Sequence, residues 1–208
     1  MKLCVFDFDS TLMDGETIDI LAQAFGKGEE IAAITREAMN GEMDFYEAIS
    51  RRALALKGMR YDEAVKICEN LPLINGAIEC VTELRRRGYK TVIFSGGFHI
   101  ATDPAAKKLG ALASFANILR HKNGVLTGEV GGEMLFGFSK GDMLRRLQSL
   151  LGIDAKDTIA VGDGANDRAM FKYAATKIAF CAKEVLKKEA NVVIDEKDMR
   201  LVLKHARD

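Results

Sequence analysis

Aspartates dominate the positions at which this chain of 208 residues could do chemistry. Asp7 and Asp9 follow a short apolar run, residues 3–6, and if the chain stays extended there, their spacing of two points both carboxylates to the same side. Asp163 and Asp167 lie in the run Gly162-Asp163-Gly164-Ala165-Asn166-Asp167, after another apolar stretch. Like charges gathered in one place oppose one another's ionisation unless a cation holds them. Carboxylates completed by waters and a phosphate oxygen describe a magnesium site, because Mg2+ demands hard oxygen ligands and keeps part of its water shell. A divalent metal is thus implied by the acids themselves.

Two further clusters would hold an anion. Ser95 offers a hydroxyl, Gly96 and Gly97 offer backbone N–H groups at what should be a helix N-terminus, and Lys140 offers a positive charge at a helix start. An acid-plus-metal site beside a phosphate cradle predicts phosphoryl transfer. Once a metal neutralises the approaching dianion, one aspartate is able to act as nucleophile.

The elements that must position these groups follow from periodicity. Residues 3–6 are too short for a helix and read as a buried strand. From about 14 to 75 the pattern is helical, four short helices punctuated by Gly26, Gly28, Gly41 and Gly58. After Pro72 and Gly76 the chain alternates: helix 78–87, strand 90–95, helix 98–109, and a hairpin over 122–130 around Asn123-Gly124. Then come helix 140–151, strand 158–161, helix 167–174, strands 177–180 and 192–194, and a last helix, 197–206. Strand and helix alternating at this spacing predict an α/β fold, a three-layer Rossmann-like core with a parallel central sheet. Residues 1–13 and 76–208 would form that core and 14–75 an all-helical insertion. In such folds ligands bind beyond the carboxyl ends of the strands, which is where the polar clusters fall.

Composition narrows the function classes. Thirty basic side chains balance thirty acidic ones, so no whole-chain field attracts nucleic acid or anionic lipid. The insertion carries 12 acidic and 7 basic residues, an excess that leaves the core slightly basic and suits an anionic small substrate entering between them. The first apolar run is interrupted by Asp7 and Asp9 and reads as neither signal peptide nor membrane span. Cys4, Cys68, Cys80 and Cys181 form no CxxC pair, so the expectation is reduced, buried thiols in a cytoplasmic protein and no zinc site. Monomer and homodimer both stay open.

In order and spacing, the four clusters closely resemble the motifs of the haloacid dehalogenase superfamily of phosphatases. Within it, Glu16-Thr17-Ile18-Asp19, Phe94-Ser95-Gly96-Gly97-Phe98, the Leu126-Thr127-Gly128 hairpin and Ile178-Ala179-Phe180-Cys181-Ala182-Lys183 resemble the phosphoserine phosphatase family. The resemblance implies Mg2+-dependent hydrolysis of a small phosphomonoester, O-phospho-L-serine, at the end of serine biosynthesis. It implies that Asp7 attacks phosphorus and that Asp9 protonates the leaving oxygen and then activates water. Asp7, the carbonyl of Asp9 and Asp163 would ligate Mg2+, with Asp167 supporting its waters. Ser95, Gly96 and Lys140 would hold the phosphoryl oxygens, and Asn166 would contact the phosphate or the adjoining substrate. The insertion resembles the family's cap, in which Glu16 would meet the substrate ammonium and Arg52 its carboxylate, with Met39 and Phe45 as apolar walls. The segment 134–139, with Phe136 and Phe138, is more apolar than a surface connection should be. Two other readings stay in view: a phosphoacceptor domain without turnover, disfavoured because the middle strand ends in Ser95, and a capped phosphatase for another small phosphomonoester.

Overall fold

The computed structural model describes residues 1–39 and 42–207, the side chain of Met39 excepted. Strand β1 (Lys2–Asp7) is apolar from Leu3 to Phe6 because both of its faces are covered there. Leu3 and Val5 face one hydrophobic cluster, Cys4 and Phe6 the other. Around it run β2 (Tyr89–Phe98), β3 (Ala113–Lys122), β4 (Val125–Gly132), β5 (Thr158–Gly162), β6 (Thr176–Phe180) and β7 (Val192–Ile194), in the spatial order β4-β3-β2-β1-β5-β6-β7. All neighbours are parallel except β3 and β4, which pair antiparallel.

Before β2 the chain forms α1 (Thr17–Ala24), α2 (Gly28–Met39), α3 (Phe45–Ala55), α4 (Tyr61–Glu69) and α5 (Ala77–Arg86). Later come α6 (His99–Leu109), α7 (Ser139–Leu151), α8 (Arg168–Phe171) and α9 (Glu184–Lys187). Residues of α5 and α6 pack with Cys4 and Phe6, whereas residues of α7, α8 and α9 pack with Leu3 and Val5, giving helices on both faces of the sheet. The chain leaves and re-enters this body side by side. Asp14 N–H donates to Pro72 O at 2.8 Å, and Ile74 N–H to Leu12 O at 2.9 Å, so α1–α4 hang from a paired stem.

A second attachment is the β3–β4 hairpin. Asn123 (φ 52°) and Gly124 (φ 78°) both take the left-handed conformation that a two-residue hairpin turn requires. The hairpin's far end reaches the α3–α4 connection, where Leu126 N–H donates to Met59 O at 2.8 Å and Gly58 N–H to Leu126 O at 2.9 Å. The ring of His121 stacks on Tyr61 at 3.8 Å. The apolar segment before α7 has a comparable use, since Phe136 stacks on Tyr46 of α3 at 5.6 Å and on Phe138 at 5.3 Å.

Several elements depart from the sequence reading. β3 is a full ten-residue strand rather than the start of a hairpin at 122. Its pattern hides because Asn117 is fully buried within it, donating to Gly96 O and Met134 O and accepting from Met134 N–H at 2.9 Å. The last segment, Met199–His205, is 3-10 rather than α-helical, its terminal carbonyls at Leu203 and Ala206 taken by Arg87. The expected helix from 167 is a 3-10 turn, Ala165–Asp167, followed by the short α8, and α9 was not anticipated. All four cysteines are free, but Cys181 is exposed, not buried, at a left-handed position (φ 44°) after β6.

Phe6, 1 % exposed at the centre of the sheet, tests this packing. Phe6→Ala should lower unfolding stability by about 3–5 kcal/mol in urea titration. A loss under about 1 kcal/mol would contradict the burial described.

Candidate active site

Strand register brings the polar clusters together. Asp7 pairs with Phe94, so Ser95 is the next residue along on β2, and Phe6 pairs with Val161, so Gly162 and Asp163 follow on β5. The three strand ends therefore open at one edge. Lys140 enters from the first turn of α7, which can approach because Gly141 has no side chain: a Cβ there would lie 2.7 Å from the Ala169 carbonyl oxygen.

Lys140 is 3 % exposed and bonds two carboxylates, Asp7 Oδ1 and Asp167 Oδ1, each at 2.6 Å. Phe8 N–H donates to the same Asp7 oxygen at 2.7 Å. The other oxygen of Asp167 accepts from Asp163 N–H and Gly164 N–H, both at 3.0 Å, which folds the loop after β5 around it. Gly162 is required here, since a Cβ would collide with the Asp167 carboxylate. Asp9 receives Thr17 N–H at 2.7 Å and Thr17 Oγ1 at 2.5 Å on Oδ1, and Ser95 Oγ at 3.2 Å on Oδ2. Ser95 is itself fully buried and accepts Gly97 N–H at 2.8 Å.

Above these groups lies a cavity of about 410 Å³, walled on one side by the strand ends and on the other by α1–α3. Asp7, Asp9, Gly96, Asp163 and Asn166 line it from the sheet; Glu16, Phe45 and Arg52 line it from the helices. Lys140, Ser95 and Asp167 sit behind that wall. Gly96 lets the Phe45 ring close down, because a Cβ there would lie 2.7 Å from the ring edge. Met39, expected as a second apolar wall, has its side chain outside the described residues. Lining residues that carry no sequence-based site assignment include Asp19, Thr35, Met43 and Lys183. Asp19 and Lys183 do fall within the runs that carry the family resemblance, Glu16–Asp19 and Ile178–Lys183, which was the available signal.

The electrostatics are those of crowded acids in a poorly solvated place. Burial and the charge of Asp167 hold Asp7 well above the usual carboxylate range, with Lys140 pulling the other way. Asp163 is pushed up to about 6 by burial and by Asp167. Burial works against the Lys140 ammonium, yet Asp167 and Asp7 together keep its pKa above that of an ordinary lysine. Asp9 is raised by burial, against the lowering effect of its Thr17 hydrogen bonds. Glu16 is pushed up to about 7 by enclosure in the cavity wall and by Asp9, although its side chain still reaches solvent. In α3, Arg52 Nε is buried with no hydrogen-bond partner among the described residues.

Asp7, Asp163 and Asp167 present carboxylate oxygens within 4.8 Å of one another. Hard oxygen donors gathered this tightly, two of them holding their protons above the ordinary range, fit a divalent cation. The sign of the pH effect follows. A raised carboxyl binds its proton more tightly in the folded chain, so the metal-free fold loses stability as pH climbs from the unfolded value, about 3.9, through 6. A cation, which needs the ionised form, competes with that proton below 6. Calorimetric titration should find Mg2+ binding about tenfold weaker at pH 5 than at pH 7.5; an affinity independent of pH would contradict the cluster as the cation site.

A family description for haloacid dehalogenase-like hydrolases matches residues 1–175. The chain is 58% identical over 205 residues to a phosphoserine phosphatase of Wolinella succinogenes, covering 99% of this chain and all of that one. It is 45% identical over 204 residues to one of Methanocaldococcus jannaschii, covering 98% of this chain and 97% of that one. Among solved structures, a phospho-aspartyl intermediate analogue of phosphoserine phosphatase superposes with a TM-score of 0.94 at 45% identity, with 99% of both chains covered. A substrate-bound phosphoserine phosphatase complex gives a TM-score of 0.94 at 44% identity, with 99% of this chain and 98% of that one covered.

Proposed function

The chain belongs to the haloacid dehalogenase-like hydrolases and to their phosphoserine phosphatase family, and on that premise we propose that it hydrolyses O-phospho-L-serine with Asp7 as nucleophile and Mg2+ as cation. The observation that carries this reading is the fixed Asp7 carboxylate at the end of β1, anchored by Phe8 N–H and Lys140 at the floor of a cavity that also holds Asp9. A carboxylate whose orientation is set in advance loses little freedom on attacking phosphorus. Asp7 forms a bond to phosphorus as the bond to the serine oxygen breaks, and Asp9 gives that oxygen its proton. Asp9 then takes a proton from the water that attacks the phosphoaspartate, releasing phosphate and restoring Asp7.

Asp7, Asp163 and the Asp9 carbonyl would hold Mg2+, with Asp167 supporting its waters. When bound, the metal supplies positive charge that offsets the repulsion between a phosphate dianion and the carboxylates. Lys140, Ser95 and the N–H of Gly96 hold phosphoryl oxygens as charge spreads over them, and Asn166 contacts the phosphate from the opposite loop. Helices α1–α4, residues 14–75, act as a cap that excludes water. Phe45 seals the phosphate end by lying against Gly96, and Met39 is assigned to the same apolar wall.

Specificity rests on the cap's two charges. A buried guanidinium nitrogen without a partner is an unsatisfied group, and the carboxylate of an amino acid substrate would satisfy it. Glu16, open to the cavity, receives the ammonium. Arg52→Ala should lower kcat/KM for phosphoserine by roughly 100-fold or more, because the substrate carboxylate would then be desolvated unpaired, while p-nitrophenyl phosphate, which has no carboxylate, should change less than about threefold. Steady-state kinetics on the two substrates decides it. Parallel losses would place Arg52 in support of the fold and reduce the substrate assignment to a generic small phosphomonoester.

A further inference from the structure

Of the two residues whose side chains hold Asp9, Ser95 belongs to the sheet and Thr17 to the helical segment. Thr17 is the first residue of α1, 1 % exposed, and it directs both of its donors, backbone N–H and Oγ1, at the same oxygen, Asp9 Oδ1. The first N–H groups of a helix have no intrahelical acceptor and need one from elsewhere. Glu16, at the N-cap position, makes no side-chain cap bond, so Asp9 takes that place from across the stem. The bond thus ties the start of α1 to the end of β1.

Two donors from one residue decide which oxygen moves protons. Oδ1 accepts two donors, one of them a backbone N–H that cannot turn away, whereas Oδ2 accepts only a hydroxyl that can rotate, so a proton carried by Asp9 rides on Oδ2. That oxygen faces residues 95–97 of β2: it accepts from Ser95 Oγ, and a Cβ on Gly97 would lie 2.7 Å from it. We propose that Thr17 is a positioning residue for the reaction, holding Asp9 by Oδ1 so that Oδ2 is the oxygen that delivers and removes the proton. The proposal rests on Asp9 as the acid–base group. It also links α1 to the chemistry, since a displacement of its first turn would free Oδ1 and let the Asp9 carboxylate turn. Both of these donors go to Asp9, and neither goes to Ser95, Lys140, Asp7, Asp163 or Asp167.

A positioning role separates from a structural one through the leaving group. Serine oxygen needs its proton as the bond to phosphorus breaks, whereas nitrophenolate leaves without one. The ratio kcat/KM reports steps only through that cleavage. Thr17→Val keeps shape and backbone donor but removes Oγ1; Thr17→Ser keeps the hydroxyl. With Mg2+ present, Thr17→Val should lower kcat/KM for phosphoserine about tenfold or more and for p-nitrophenyl phosphate less than about threefold, and Thr17→Ser should restore phosphoserine turnover to within about threefold. Thr17→Ala repeats the test should the valine variant fold poorly. Equal losses on both substrates, or none on either, would overturn the proposal. Asp9→Asn in the same panel keeps the two readings apart: a leaving-group-dependent loss there without one at Thr17 removes Thr17 alone, while equal losses at Asp9 remove the acid–base assignment on which it stands.

Discussion

The structure depends on a buried ammonium placed between two carboxylates. Lys140 holds Asp7 and Asp167 at 2.6 Å each with almost no access to water, and around this triad the loops after β1 and β5 take their shape. Such a group is poor support for stability. Taking ions out of water costs several kcal/mol each, on the order of what the pairing returns, and removing one partner from a buried pair costs about 3–5 kcal/mol. What the triad supplies is orientation. Asp7 cannot turn away from the cavity without breaking its bonds to Lys140 and Phe8 N–H, and Asp167 cannot move without freeing the N–H groups of Asp163 and Gly164.

Glycines express the same constraint in the backbone. Gly162 gives room to the Asp167 carboxylate, Gly141 lets α7 carry Lys140 inward, and Gly96 accepts the Phe45 ring. Each contact is one that an added methyl group would obstruct. The helical segment meets this floor through the paired stem, the β3–β4 hairpin, the stack of Phe136 on Tyr46, and the Thr17–Asp9 bond. With Asp9 in its proposed acid–base role, the last of these would link closure over substrate to readiness for proton transfer. Solvent exclusion and chemistry then depend on the same few residues.

Much of this was legible in the sequence, for identifiable reasons. β1, β5 and β7 sit in fully apolar runs followed by polar clusters, so their ends, and with them Asp7, Asp9 and Asp163, could be placed without coordinates. Glu16, Phe45 and Arg52 were reached only through resemblance, since charged and aromatic residues on short helices carry no mark of which way they point. β3 escaped because the residue that fastens it, Asn117, is polar and buried, and its three hydrogen bonds go to residues far along the chain. Thr17 lies inside a motif that does not reveal its role, for the same reason: a threonine at a helix start signals a local cap, and here its partner is eight residues back, in the turn after β1. Periodicity reports which face is apolar; it says little about polar groups satisfied across the fold.

The central claim is that the carboxylate fixed by Lys140 is the one that attacks phosphorus. The direct measurement is mass spectrometry of protein quenched in acid during turnover of phosphoserine with Mg2+, with the phosphoryl adduct mapped to a residue. The account predicts one added phosphoryl group on the peptide containing Asp7, absent from the Asp7→Asn variant. An adduct on Ser95, on Asp9 or on a histidine, or full turnover by Asp7→Asn, would contradict it.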